Sequence, residues 1–325
     1  MDKSYAIGVD MGGTNTAIGV VDRRGEILFR SSVSTVDYNT GESYAEALSA
    51  TINELISRNN FTGNVAGVGM GVPNGNMNDG TVERAANIPW AKTVAVPLAA
   101  IVSEKTGLPC KLTNDANAAA LGEMVYGAAK GLKDFIVITL GTGLGSGIVA
   151  GGQLIVGHDG FAGELGHVRT VRHNGRLCGC GRTGCLETYA SATGVARTAR
   201  EFLEIYPERE TLLRSITSRP ITSKDVFEAA RSGDRMAIEI FEFTGRILGE
   251  AFADFIAFSS PKAIILFGGL AHAGNLLTEP LKEAMDKNVI SICKGKTEII
   301  VSQLNDGEVA ILGASALAWE LSVTN

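Results

Sequence analysis

Apolar residues come in short blocks at the start of the chain. Residues 5–9 (YAIGV) are apolar and run into Asp10, and residues 17–21 and 27–30 follow, joined by a turn at Arg23-Arg24-Gly25. Blocks of this length bounded by turn residues read as β-strands. The period then changes: across residues 43–58, Ala47, Leu48, Ile52, Leu55 and Ile56 recur near the helical repeat and predict a surface helix. Residues 65–72 predict a buried, glycine-rich strand, residues 110–112 another, and the stretch from Thr113 through Tyr126 opens into a helix. A second set of strands is predicted over 135–140, 148–150 and 153–156. Helices are expected over 189–206, 223–232 and 234–258, the last long and apolar enough to be internal or at a subunit contact. Strands at 263–267 and 299–301 and a helix at 309–321 complete the pattern.

Two of these strand pairs enclose the same device. After Asp10 come Met11-Gly12-Gly13-Thr14-Asn15-Thr16, then a returning strand. Gly12 and Gly13 let backbone N–H groups approach an anion, while Thr14 and Asn15 add side-chain donors, so the loop reads as a phosphate cradle. Asp10 is placed to hold Mg²⁺, which prefers one or two carboxylates and keeps its waters. Taken alone the segment is equally an ordinary hairpin turn. The device recurs at Gly141-Thr142-Gly143, again between two strands and followed by a Gly151-Gly152 turn and a further strand. Two such halves facing each other would grip a polyphosphate from both sides. Neither loop satisfies G-x-x-x-x-G-K-[ST], and neither opens a helix in the manner of a dinucleotide site.

Composition narrows the class. A chain of 325 residues is long enough for two domains, and 45% hydrophobic with 20% charged residues is globular. A net charge of −6 leaves no basic excess for a nucleic-acid partner. The N-terminal MDKSYAIGVDMGG lacks the pattern of a secretory signal, and no apolar run reaches bilayer length, so no membrane partner is expected. Five cysteines, an odd number, fit a reduced compartment, and the expectation is a cytoplasmic protein.

Three of those cysteines sit in one stretch with a histidine: His167, Cys178, Cys180 and Cys185. Three thiolates and one imidazole are an ordinary tetrahedral set for structural Zn²⁺, and four protein ligands leave no position for an activated water. A loop of reduced, unliganded thiols or a disulfide is the alternative, the latter disfavoured in a reducing compartment. Glu164 lies three residues before His167 and Glu187 two residues after Cys185. Ionised carboxylates accept several hydrogen bonds, which suits vicinal sugar hydroxyls; isolated surface glutamates would simply be solvated.

Gly166-His167 followed by Cys-x-Cys-Gly-x-x-Gly-Cys-x-Glu from Cys178 to Glu187 resembles the zinc signature of ROK sugar kinases and their repressor relatives. Asn114-Asp115-Ala116-Asn117, continuing through Gly122-Glu123, is similar to the segment that carries the catalytic base in those kinases. The resemblance covers nearly the whole chain. It implies an α/β actin-like ATPase (ribonuclease H-like) fold of two α/β domains with a cleft between them. The smaller domain would comprise residues 1–113 plus 304–325, closed by the C-terminal helix, and the larger residues 114–303. It implies an ATP-dependent kinase acting on a hexose 6-hydroxyl, glucose first, with ATP, Mg²⁺ and structural Zn²⁺ as cofactors. On the same resemblance Asp115 is the catalytic base, and Asn87, Asn114, Glu164, His167 and Glu187 hold sugar hydroxyls. Asp10, Gly12, Gly13, Thr14, Asn15, Gly141, Thr142 and Gly143 hold the phosphates, and Gly268-Gly269 packs against adenosine. A homodimer or homotetramer is expected. Two positions depart from the family pattern: Asn74 stands where glycine is usual after Pro73, and Thr113 where glutamate is frequent. The repressor relatives carry a helix-turn-helix ahead of the fold, for which a first strand at Tyr5 leaves no room. Mannose, allose, fructose and N-acetylated amino sugars are the other acceptors in the family, and polyphosphate another donor.

Overall fold

The computed structural model describes residues 3–85, 87–305 and 307–321. The expected domain ranges also take in residues 1, 2, 86, 306 and 322–325, which lie outside the described residues. In chain order the first elements are β1 (Tyr5–Met11), β2 (Asn15–Asp22), β3 (Ile27–Ser34), α1 (Gly41–Arg58), β4 (Val65–Gly71), β5 (Gly75–Asn76), β6 (Thr81–Val82), α2 (Leu98–Thr106), β7 (Cys110–Thr113) and α3 (Asp115–Tyr126). They are followed by β8 (Phe135–Leu140), β9 (Leu144–Ala150), β10 (Gln153–Leu154), α4 (Glu187–Ala190), α5 (Ala192–Ile205), α6 (Ser223–Arg231) and α7 (Arg235–Ser259). Last come β11 (Ala263–Phe267), α8 (Asn275–Asn288), β12 (Glu298–Val301) and α9 (Val309–Glu320).

Two five-stranded sheets share one plan. The first has the order β3-β2-β1-β4-β7, the second β10-β9-β8-β11-β12. In the first, β1–β2 and β2–β3 are antiparallel while β4 and β7 add on in parallel. In the second, β8, β11 and β12 run parallel and β10 turns back antiparallel on β9. The repeated strand–loop–strand device of the sequence is therefore a repeat of sheet topology. Contacts divide the chain into one unit of residues 1–133, 147–163 and 303–325, and another of 134–146 and 164–302. The sequence reading draws its boundary at 113/114, whereas contacts group 114–133 and 147–163 with the first unit.

In the first unit, β4 (VAGVGMG) is buried at all seven positions, which explains its lack of alternation: both faces are covered. On one side α1 presents Tyr44, Ala45, Leu48, Ile52, Leu55 and Ile56 to the core. Its start is fixed by a capping box in which Thr40 and Ser43 exchange side-chain and backbone hydrogen bonds. On the other side lies α9, buried along most of its length, hence its apolar residues on every face. The approach is so close that a Cβ added to Gly69 would stand 1.9 Å from the Ala314 carbonyl oxygen.

Several elements differ from expectation, and α2, β5 and β6 correspond to no expected element. The second loop is shorter than the glycine run suggests, because β9 already starts at Leu144 and leaves only Gly141–Gly143 outside the strands. The helix expected over 189–206 is two helices, split at Ser191, which is extended (φ −116°, ψ 174°) and caps α5 by accepting from the Gly194 N–H at 3.1 Å. The unpredicted α8 contains Pro280 in its interior, which sequence rules read as a breaker. Among the described residues no helix is long and apolar enough to cross a membrane.

Gly69→Ala is expected to lower the unfolding free energy by about 3 kcal/mol in urea titration, because the added methyl overpacks the core. Ala314→Gly in the same background should not restore it, since the clash is with a backbone oxygen.

Candidate active site

In the first unit, three parallel strands end in register. Asp10 of β1 pairs with Gly71 of β4, and Gly71 with Thr113 of β7. Asp115 follows two residues later as the first residue of α3. A Cβ on Gly71 would lie 3.1 Å from the Ala118 Cβ and 4.0 Å from both the Asp115 Cα and the Val9 carbonyl oxygen, so the tight approach here is between β4 and α3. The carboxyl ends of parallel strands are where open α/β sheets present ligand groups.

The helix cap is made by Asn114, whose Oδ1 accepts from the Asn117 N–H at 2.7 Å. That leaves Asp115 free of the capping role; its carboxylate accepts from the adjacent Ala116 N–H at 2.9 Å and from its own backbone N–H. Burial pushes the Asp10 carboxyl up to about 6, and the neighbouring Asp115 charge adds to the shift. Surrounding protein likewise raises Asp115, opposed by its hydrogen bond from Ala116, although the side chain keeps access to solvent. Both groups are thus held where negative charge is disfavoured, a setting that suits a cation or a proton acceptor.

The first Gly/Thr loop hangs off the same strand. The Gly12 N–H donates to the Asn15 carbonyl at 3.0 Å, closing the turn, and Gly13 and Thr14 are exposed. Behind it, Thr16, Thr35 and Tyr44 join buried hydroxyls at 2.9 and 2.8 Å, and Trp90 stacks on Tyr44 while donating to the Thr35 carbonyl. Trp90 is therefore packing. Asn87 reaches this loop: its Cβ lies 3.5 Å from where a Cβ of Gly13 would be. Asn74 has φ of 51°, the left-handed region that glycine enters freely and asparagine tolerates, which accounts for this exchange at a glycine position. Its Nδ2 donates to the Arg84 carbonyl at 2.9 Å, tethering the irregular segment that follows β6.

The second unit collects the remaining candidates. Residues 176–184 form a tight hairpin: the Cys178 N–H donates to Arg182 O, and the Gly184 N–H to Arg176 O. Gly184 has φ of 80°, and a Cβ there would lie 1.8 Å from the Val171 carbonyl oxygen, so no other residue fits. The ligand atoms of His167, Cys178, Cys180 and Cys185 all lie within 4.8 Å of one another. The Cys178 Sγ is 3.6 Å from the His167 Nδ1, and the Cys180 and Cys185 sulfurs are 3.7 Å apart. With bonds of about 2.3 Å, a tetrahedron around zinc has edges of about 3.8 Å, so the donor set fits the ion in spacing as well as chemistry. All three cysteines are free thiols. Burial holds the Cys178 and Cys185 thiols above their ordinary value, while the Arg182 amide draws Cys180 down.

Both flanking glutamates touch this cluster. Glu187 Oε1 accepts from the Cys178 thiol at 2.9 Å and lies 3.6 Å from the His167 Nδ1. The other ring nitrogen, Nε2, faces Glu164 at 3.8 Å. Glu187 also backs onto the second loop, where a Cβ on Gly143 would meet its Oε2 at 2.9 Å. That loop is pinned from the start of α5: Ala192 N–H donates to Gly141 O at 2.9 Å and the Thr193 hydroxyl to Thr142 O at 2.8 Å. Gly141 and Thr142, with Gly269, line a mostly apolar cavity of about 360 Å³. Gly268, beside Gly269, has φ of 97° and lies close under the Leu140 carbonyl. Sequence reasoning missed the far wall of this cavity, where Lys224, Phe227, Phe241 and His272 stand. Phe241 belongs to the apolar pattern of α7 and Phe227 to that of α6, and periodicity does not distinguish a cavity wall from a core.

Sheet order and the paired Gly/Thr loops define the actin-like ATPase class. The ROK family model matches residues 6–320, and the chain belongs to the ROK family. It is 36% identical to the glucokinase of Thermotoga maritima, covering 98% of this chain and 99% of that one. Among solved structures, a ROK family glucokinase from Streptomyces griseus in complex with glucose and AMPPNP superposes with a TM-score of 0.77 at 36% identity, over 97% of this chain and 99% of its own. The ROK hexokinase of Thermus thermophilus gives 0.81 at 31% identity, over 99% and 100%.

The Asp10 carboxyl should titrate near 6 when followed by carbon-detected NMR. In Asp115→Asn protein its midpoint should fall toward the ordinary carboxylate range, because one of the two causes of the shift is gone. An unchanged midpoint would show that the two carboxyls do not sense each other.

Proposed function

We propose that this protein transfers the γ-phosphoryl group of ATP to the 6-hydroxyl of a hexose, with glucose the favoured acceptor. The observation that carries this reading is the pair of burial-raised carboxyls, Asp10 and Asp115, at the shared end of parallel strands beside a Gly/Thr loop, in a chain of the ROK family. Phosphoryl transfer needs mainly positioning and neutralisation of charge. Asp115 would accept the hydroxyl proton as the sugar oxygen bonds to phosphorus and ADP leaves; a raised proton affinity makes it a better acceptor at neutral pH. Asn114, whose Nδ2 is not engaged by the helix cap, and Asn87 would orient the same sugar, together with Glu164, His167 and Glu187.

Asp10 would hold Mg²⁺, which supplies charge neutralisation at the phosphates. Gly12, Gly13, Thr14 and Asn15 of one loop and Gly141, Thr142 and Gly143 of the other would donate to phosphate oxygens. The apolar cavity beside Gly268 and Gly269 suits a purine base, flat and weakly polar. His167, Cys178, Cys180 and Cys185 would hold a structural zinc that fixes the hairpin and leaves no open position for chemistry. Assembly as a homodimer or homotetramer and work in the cytoplasm belong to the same reading.

A coupled assay with ATP over a panel of hexoses and N-acetylated amino sugars is expected to give its highest kcat/KM with glucose. Asp115→Asn should lower kcat by orders of magnitude while nucleotide and sugar still bind; near-normal turnover would remove the base assignment. Metal analysis should find about one zinc per chain, and a metal-free, fully active preparation would remove the zinc.

A further inference from the structure

We propose that Arg176 is a positioning residue that locks the cysteine hairpin to the helix carrying Glu187, and so governs both metal retention and sugar affinity. The inference rests on the reading above for its metal and its sugar. Its geometry stands by itself.

Arg176 lies two residues before Cys178, and its side chain is 6% exposed, an extreme degree of burial for a guanidinium. Its fork is filled by partners from three directions. Nη1 donates to the Thr188 carbonyl at 2.7 Å and the Gly194 carbonyl at 3.3 Å. Nη2 donates to the Thr198 hydroxyl at 2.8 Å and to Glu201, and Nε reaches both Glu201 oxygens at 3.1 Å. The guanidinium carbon lies 4.4 Å from the centroid of the Tyr189 ring, whose hydroxyl accepts the Arg176 backbone N–H at 2.8 Å. One residue thus spans the hairpin, the α4 backbone immediately after Glu187, and α5.

Glu201 carries a second tie. Arg197 donates to it at 3.0 Å and to the Leu177 carbonyl at 3.3 Å, so both residues ahead of Cys178 are held from α5. The same α5 pins the second Gly/Thr loop through Ala192 and Thr193. Hairpin, Glu187 and loop are therefore referred to one helix, and Arg176 is the cross-piece. Its planar fork has no equivalent in lysine, which offers a point charge on a flexible stem. No sequence motif marks it, because it falls in the interval between Gly166-His167 and Cys178 that the signature leaves unspecified.

The test compares wild type, Arg176→Lys and Glu201→Gln, the last retaining the guanidinium and its bonds to Thr188, Gly194 and Thr198 should the first fold poorly. In Arg176→Lys, amide exchange across 176–188, the rate of zinc loss to a chelator and the KM for glucose should each rise by about tenfold, the scale on which outer partners of metal ligands act. The KM for ATP should stay unchanged, and Glu201→Gln should fall between the two proteins. Wild-type exchange and zinc loss in Arg176→Lys would overturn the proposal, as would faster exchange spread evenly over the chain with both KM values raised. If the wild-type protein held no zinc and phosphorylated no hexose, the functional reading would fall, while exchange at 176–188 would still decide whether Arg176 locks the hairpin.

Discussion

The first unit brings two carboxyl groups, Asp10 and Asp115, to the shared end of its parallel strands. Burial raises the proton affinity of both, the Asp115 charge adds to the shift at Asp10, and such a setting suits a cation or a transferring proton. Parallel pairing of β1, β4 and β7 brings their ends level, Gly71 lets α3 lie close on β4, and Asn114 takes the capping role that would otherwise engage the Asp115 carboxylate. Buried packing of α9 against the sheet holds those strand ends rigid. The placement of the two aspartates is a by-product of how closely backbone can approach backbone.

The second unit answers a different demand with different means. Its Gly/Thr loop is closed by one internal bond, from the Gly141 N–H to the Gly143 carbonyl, and fixed by two more from the start of α5. Its hairpin contains no apolar core and depends on the cysteine cluster and on charged ties to Glu201. Glu187 joins the two, touching Cys178 on one side and Gly143 on the other. A residue that flanks the cysteine cluster in sequence is thus positioned against the second Gly/Thr loop as well.

Much of this was legible from the chain alone, for physical reasons that also set the limit. Strands such as β4 and β8 are continuous apolar runs, and the repeated strand–loop–strand segments share a spacing, so the doubled sheet could be read. The Cys3His cluster could be read because its ligands are close in sequence. Helix α8 was hidden by Pro280, the split at Ser191 by an unbroken helical period, and the short second loop by glycines that lie inside β9 rather than outside it. Arg176 was illegible because an arginine on a polar stretch reads as solvated; only tertiary structure reveals its burial. Lys224 and His272 escaped for another reason: both are exposed and belong to no motif, and only the fold brings them to one cavity.

Helix α9 lies against β1 and β4, yet it is drawn from residues 309–320, some three hundred positions downstream of the strand it covers. During synthesis the first sheet therefore emerges from the ribosome with one apolar face bare and waits while the intervening elements are translated. The segments of the second unit are all available before α9 appears. Vectorial folding should thus finish the hairpin-bearing unit first, with the aspartate-bearing unit exposed to chaperones and proteases until the late helix docks.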